Sequence, residues 1–420
     1  APGSGTVVVD ARTGGVLREV DRARVLASAQ AYAGEGVATD YRGTIDEDAF
    51  THSRGLDAHR PLHVVELADA QATRLYVSGK TGEVVRDAPR VERLWNYAGA
   101  WIHWLYPLRG TALDAYWADI VNWLSIVGIA VTLTGTVVGV MRWRFRRVYK
   151  SGSHSPYQGF MMRWHHISGL LFALVTLTWI FSGLMSMNPW RVFDGKAEAL
   201  RVDAMNGGAL VVSAQDAAPA ALLASMGGNV RELSWVRRAG QTLVLASTAT
   251  GRPAVRDALT AQPQAIDPEM LKGAVARLLP DAVARIDVLS AYDSHYYTRE
   301  PHTMTGGTDK PLPVWRVVFV DASASWVHVD PLTGAVVGRS DSGRRASRWL
   351  FAMLHSWDWL PLLERRPLWD VVLVVLSLGG ALLSLTGVVI GWRRLGRKLR
   401  AAKPRGPAPA QPAAPTRRPA

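Results

Sequence analysis

The chain has 420 residues, with 48 lysines and arginines against 35 aspartates and glutamates, a net charge of +13 and no cysteine. Lack of cysteine excludes disulfides and thiolate-ligated clusters. The basic excess does not point to nucleic acid: segment 142–164 carries six basic residues and 393–420 carries nine, neither holds an acid, and the rest of the chain is therefore net negative.

In chain order, residues 1–92 read as a soluble region. A turn-like VDARTGGV at 9–16 precedes a helical stretch at 22–33 and two alternating segments, RPLHVVELA and TRLYVSG, with strand character. The second runs into VSGKTGEV at 77–84, where Thr-Gly between short strands reads as a tight turn whose glycine supplies positive φ. An aromatic connection at 93–116 contains AWIHWLYPL and His103, and an apolar helix follows at 117–141. The loop 142–164 holds Arg142, Arg144, Arg146, Arg147, Lys150 and Arg163.

A second apolar helix spans 165–187 and opens with His165 and His166. Residues 188–346 read as two further soluble modules. Their helical stretches lie at 214–226 and 267–279, each followed by strand-like segments and by the turns ASTATGRP at 246–253 and VDPLTGAV at 329–336. A connection at 347–368 contains FAMLHSWDWLPLL and His355, the third apolar helix spans 369–392, and a basic tail rich in Pro and Ala follows at 393–420, reading as disordered after Lys398. Crossing a bilayer takes about 20 apolar residues, so all three helices qualify. Basic flanks mark the cytoplasmic side, which puts 1–116 and 188–368 outside the cytoplasm, in the periplasm of a Gram-negative cell.

The register repeats at an offset of 252 residues. His103 falls on His355, Trp117 on Trp369, Gly128 on Gly380, Thr134-Gly135 on Thr386-Gly387, and Gly82 on Gly334. The expected fold is an internally duplicated α+β membrane protein. Because the second half opens with an inward-to-outward helix and the first has none, a fourth, N-terminal helix is expected, giving four helices in two parallel repeats.

Helix-then-strand modules ending in V-D-x-x-T-G-x-V resemble the PepSY domain. With LHSWD at 354–358 and RWHHISGL at 163–170, the chain resembles the PepSY-associated transmembrane family over essentially 1–396. That family includes iron-regulated membrane proteins and ferric-siderophore reductases. The resemblance implies an inner-membrane protein, and its reductase members carry haem.

Haem b needs axial ligands, most often histidine imidazoles from facing helices. The duplicated pair His103 and His355, set in aromatic apolar surroundings, is one candidate for a pseudo-twofold site. The competing reading makes them interfacial histidines copied by the duplication. The other candidate is His165 or His166. Gly169, Ala173, Thr176 and Gly183 mark one helix face, with His165 about 40° from it and His166 about 60° away on the other side. Geometry leans to His165, as does the family pattern of a histidine four residues before a glycine. A basic interfacial pair beside Arg163 is the alternative.

The polar segment 294–311, with His295, Tyr296, Tyr297, His302 and Met304, is a candidate substrate loop of a length often functional. Asp358 reads as a helix cap or solvent-facing acid rather than an acceptor for His355, because its counterpart is Tyr106. The spacings Gly135-x-x-x-Gly139 and Gly387-x-x-x-Gly391 read as helix contacts. His52, His59, His63, His154 and His328 show no ligand spacing.

These readings describe a membrane oxidoreductase of ferric-chelate reductase type, with one or two haem b groups. It would pass electrons outward to a ferric siderophore. No G-x-G-x-x-G is present, so the donor would be a quinol or a separate reductase. Two other classes remain open: a non-catalytic PepSY module that binds or regulates an envelope protein, and a component of an iron or siderophore uptake transporter. Few ionisable residues lie in the spans, which argues against transport.

Overall fold

Asp21 opens α1 (Arg22–Ala33) by accepting the Arg24 amide at 2.8 Å, and Gly34 at φ 84° ends it. The computed structural model describes residues 7–9, 13–17, 19–51, 53–109, 111–194, 197–227, 229–299 and 310–401. Two units emerge, Ala1–Val121 and Asn122–Ala420.

In the first unit, β1 (Thr39–Ile45), β2 (Leu62–Leu67), β3 (Arg74–Ser78) and β4 (Val84–Ala88) form an antiparallel sheet in that order. Val25 and Ala29 of α1 pack with Val65, Leu75 and Val77 on one face. Leu62, Val64 and Tyr76 cluster with Phe50 and Leu56 on the other. Covered on both faces, β2 reads as a nearly continuous apolar run rather than an alternating one. The turn between β3 and β4 uses Gly82 at φ 74°. Then α2 (Arg90–Asn96) winds into a π-helical turn at Tyr97–Ile102, and α3 (Trp117–Arg142) begins.

The second unit contains α4 (Phe160–Ser186), α5 (Val202–Asn206) and α6 (Pro219–Ala224). An antiparallel sheet follows, made of β5 (Glu232–Arg238), β6 (Gln241–Ser247) and β7 (Ala254–Asp257). Asp267 caps α7 (Pro268–Val275), with Pro268 at its first position. Next come β8 (Val283–Leu289), β9 (Val314–Phe319), β10 (Trp326–Val329) and β11 (Val336–Ser340), an antiparallel sheet of order β11-β10-β9-β8. Leu271, Ala274 and Val275 of α7 share one core with Leu243 and Val255 of the smaller sheet and Val317, Phe319 and Val327 of the larger. The unit ends with α8 (Ser342–Arg348), a π-helical turn at Trp349–Met353, α9 (Leu360–Leu363) and α10 (Leu368–Ala401).

Three helices, α3, α4 and α10, are long and apolar enough to cross a membrane. Two exceed the expected spans. α4 starts at Phe160 rather than 165, since nothing after Gly159 breaks the helix, and α10 runs on past 392 because Arg, Leu, Lys and Ala are strong helix formers. The 214–226 and 267–279 stretches contract to α6 and α7, whose starts are set by Pro219 and Pro268.

Within the second unit, α10 packs along α4. A Cβ at Gly379 would collide with the Phe172 ring, one at Gly169 would stand 3.5 Å from Leu383, and one at Gly380 would stand 3.7 Å from Trp179. On α3, Gly128 faces Ile180 at 3.3 Å and Gly139 faces Leu170 at 3.0 Å. Gly135 and Gly391 have no described residue within 4 Å of their Cβ positions, so only Gly139 and Gly387 of the two G-x-x-x-G spacings make helix contacts.

Several elements of the two units share bounds at the 252-residue offset: β2 with β9, β4 with β11, and α2 with α8. The π-helical turns start at Tyr97 and Trp349, and left-handed residues follow at Leu105 (φ 55°) and Trp357 (φ 53°).

Candidate functional site

His165 and His355 are held in the same way at opposite ends of α4. The His165 Nδ1 lies 3.1 Å from Thr386 Oγ1, and its Cε1 would lie 3.4 Å from a Cβ on Gly387. His355 Nδ1 lies 3.0 Å from Ser182 Oγ, and its Cε1 would lie 3.8 Å from a Cβ on Gly183. Each imidazole therefore rests on a hydroxyl–glycine pair: the hydroxyl takes a ring nitrogen and the glycine leaves room for the ring.

Each hydroxyl also has a carbonyl of its own helix within reach. Thr386 Oγ1 donates its one hydrogen back to its own helix, at the Leu382 and Leu383 carbonyls, 2.8 and 2.9 Å away. Ser182 Oγ donates to the Trp179 carbonyl at 3.1 Å. With the hydroxyl hydrogen spent on the helix, each oxygen accepts from the imidazole; that arrangement puts the ring proton on Nδ1 and leaves the lone pair on Nε2, the form in which histidine ligates a metal. No described residue hydrogen-bonds Nε2 of His165. From His165 to Ser182 is seventeen helical residues, so the two imidazoles are about 25 Å apart along α4.

His166 has the opposite arrangement. It is buried, with Nε2 2.8 Å from the Gly139 carbonyl and Nδ1 2.8 Å from Ser155 Oγ. The carbonyl can only accept, so Nε2 is the donor and Nδ1 accepts from Ser155. Both nitrogens are spent on tying α3, the 142–159 connection and α4 together, with Trp143 and Tyr157 against the ring edge-on.

His103 belongs to the first unit. It is exposed and follows directly on the π-helical turn. The turn beyond it is fixed by Trp117 Nε1 donating to the Trp104 carbonyl at 2.8 Å, with the Arg109 guanidinium over the Tyr106 and Trp117 rings at 5.4 and 5.2 Å. The equivalent bond in the second unit runs from Trp369 Nε1 to the Ser356 carbonyl at 3.0 Å.

The described part of the polar segment is packed rather than open. Tyr296 and Tyr297 are buried. Tyr296 donates to the Pro311 carbonyl at 2.8 Å and stacks on His328, and burial pushes its hydroxyl up to about 12. The Tyr297 hydroxyl donates to Asp358 at 3.1 Å. His295 is half-buried, edge-on to Trp326 and Trp349, and burial lowers its pKa, aided by Arg348. His302 and Met304 lie outside the described residues, as does His52.

Asp358 is neither a cap nor solvent-facing. It is fully buried and ion-paired with Arg299, and it does not touch the His355 nitrogens. Burial raises its carboxyl to about 6 against the pull of Arg299 and Arg348. Sequence reading missed both this pair and the hydroxyls of Ser182 and Thr386. A usable signal for the hydroxyls was a Ser-Gly or Thr-Gly pair inside an apolar helix. Nothing in the sequence marks Arg299 as the partner of a residue 59 positions away.

A haem ligand must be a neutral imidazole with an open lone pair. The hydroxyl contacts of His165 and His355 are compatible with the tautomer this requires, whereas His166 spends Nε2 on a carbonyl. Among the described residues, no three His, Asp or Glu side chains converge to hold a metal ion. Comparison with protein-family models gives no match to this chain, and comparison with curated proteins gives none.

Proposed function

We propose that this chain is a multi-pass inner-membrane haem b protein that carries electrons from the cytoplasmic side to a periplasmic acceptor, with ferric siderophores as the substrate class. The observation behind it is the matched pair of hydroxyl-held imidazoles at the two ends of α4. Bound haem would supply one-electron chemistry at iron. The chain's part is to hold that iron through Nε2 of His165 near the inner face and of His355 near the outer face. Thr386 and Ser182 lock each ring in the ligating tautomer. His103 joins as the repeat counterpart of His355, because we read the shared element bounds and aligned residues as an internal duplication of PepSY-like modules and helices. The basic residues of the 142–159 connection and of the end of α10 support a cytoplasmic position for those parts. The electron donor is then a quinol or a separate reductase.

The proposal is tested in sealed vesicles. Protein is reconstituted, reductant is supplied on the side of the basic connection, and an impermeant ferric hydroxamate with a ferrous chelator is placed on the other. Ferrous complex should form with the native chain and not with His165→Ala. Haem-loaded protein that passes no electrons across the bilayer would refute the conduit.

A further inference from the structure

We infer that Asp358 is a positioning residue for the His355 imidazole, acting through a clamp that joins the β8–β9 module to the turn carrying that histidine. This deepens the proposed function and rests on His355 being its outer ligand.

His355 does not sit within a regular helix. It follows the π-helical turn Trp349–Met353, and the chain then doubles back through Trp357 at φ 53°. A non-glycine residue held left-handed costs roughly 1–2 kcal/mol, so something must keep the turn closed. Three bonds act on it directly. The amides of Ser356 and Asp358 both donate to the Ala352 carbonyl, at 3.1 and 3.3 Å. Trp359 Nε1 donates to the Met353 carbonyl at 3.0 Å.

The only charged group of the doubled-back segment 356–359 is the Asp358 carboxylate, and it is fully buried. It pairs with Arg299 and accepts from Tyr297. The Arg348 guanidinium completes the arrangement. It bonds the Tyr297 hydroxyl and the Ser294 carbonyl, and reaches the Asp358 carbonyl at 3.4 Å. Arg299 also lies over the Trp369 ring at 4.8 Å, at the start of α10. Asp358 thus ties together three pieces: its carboxylate holds the 294–299 segment to the His355 turn, and its carbonyl, with Tyr297, takes Arg348 of α8.

The charge balance makes the clamp sensitive to Asp358. Arg299 is buried beside the carboxylate and Arg348 is half-buried nearby, with Asp293 as a second counter-charge, so neutralising Asp358 breaks the buried ion pair from one side. Breaking a buried pair from one side is strongly destabilising. The strain falls on the turn that presents His355 to Ser182. In the first unit the counterpart of Asp358 is Tyr106, held by Arg109 and aromatic contacts.

The test uses the full chain labelled with 15N-histidine, since nitrogen shifts report which ring nitrogen carries the proton. In the native protein, His355 should give one Nδ1-protonated species. Asp358→Asn should lose that single species to mixed tautomers, with His165 and His166 unmoved. Tyr297→Phe, which keeps the ion pair and guards against misfolding of the first variant, should shift His355 in the same direction by less. An unmoved His355 signal in both variants overturns the clamp. So does an equal disturbance of all three histidines, which would mark a general loss of fold. Haem content is read separately: a chain without haem would retire the proposed function, and the nitrogen signals would still decide the clamp.

Discussion

His165 and His166 are adjacent in sequence and opposite in role, because a helix turns about 100° per residue and sends them to different neighbours. We expect His166→Ala to lower stability by about 2–3 kcal/mol, since it strips two buried hydrogen bonds, while haem content holds. His165→Ala should instead remove haem at little cost to the fold. Thermal unfolding in detergent and a haem count separate the two. His328 supports a pH prediction. It is buried, accepts from Arg316 Nε at 3.0 Å, and is pushed down to about 4 by burial, with Arg316 adding to the effect. In the unfolded chain it titrates near its ordinary 6.5, so its stabilisation is complete above pH 6.5 and is lost as pH falls through 4. At about 1.4 kcal/mol per pH unit, the loss amounts to roughly 3 kcal/mol. Near-UV dichroism melts between pH 7 and 4 should show the decline, and His328→Gln should flatten it. The sequence marked His165 and His355 by spacing and repetition. It gave no role to His328, because its partner depends on strand pairing.

Among the elements, α4 is the one that sets both imidazoles, carrying His165 against Thr386 of α10 and offering Ser182 to His355. The Phe172 ring fills the space at Gly379, whereas no described residue lies within 4 Å of a Cβ on Gly391. Gly379→Ala should therefore cost about 1–3 kcal/mol by overpacking, whereas Gly391→Ala should be neutral or slightly stabilising. Equal melting temperatures for the two variants would contradict this packing. The small-residue face of α4 was legible as a periodicity, and Gly169 and Gly183 do meet Leu383 and His355. Which of the G-x-x-x-G glycines make contact was not legible, since spacing fixes a face but not the neighbour that fills it. The Thr-Gly turns at Gly82, Gly251 and Gly334 could be read directly, because each needs the positive φ that glycine supplies without a Cβ penalty. The π-helical turns before His103 and His355 carry no composition signal and came only with the structure.

On the scale of the whole molecule, three apolar helices and their basic flanks were the clearest message of the sequence. They follow from the chemistry of the bilayer and need no tertiary detail. The chain has no cysteine, so single cysteines can be introduced and labelled without background. A cysteine at Lys150 should react only with permeant reagent in intact cells, and one at Asp287 should react with impermeant reagent once the outer membrane is opened. The reverse pattern would invert the proposed direction of electron flow.

The most direct measurement is the visible spectrum of the purified full chain, oxidised and dithionite-reduced, with haem counted for the native protein and for His165→Ala, His355→Ala and His166→Ala. The account predicts sharp low-spin haem b bands in the native chain. Each of the first two variants should lose part of them, and the third should keep them in full. A colourless protein made with adequate haem, or bands that survive His165→Ala and His355→Ala combined, would contradict it.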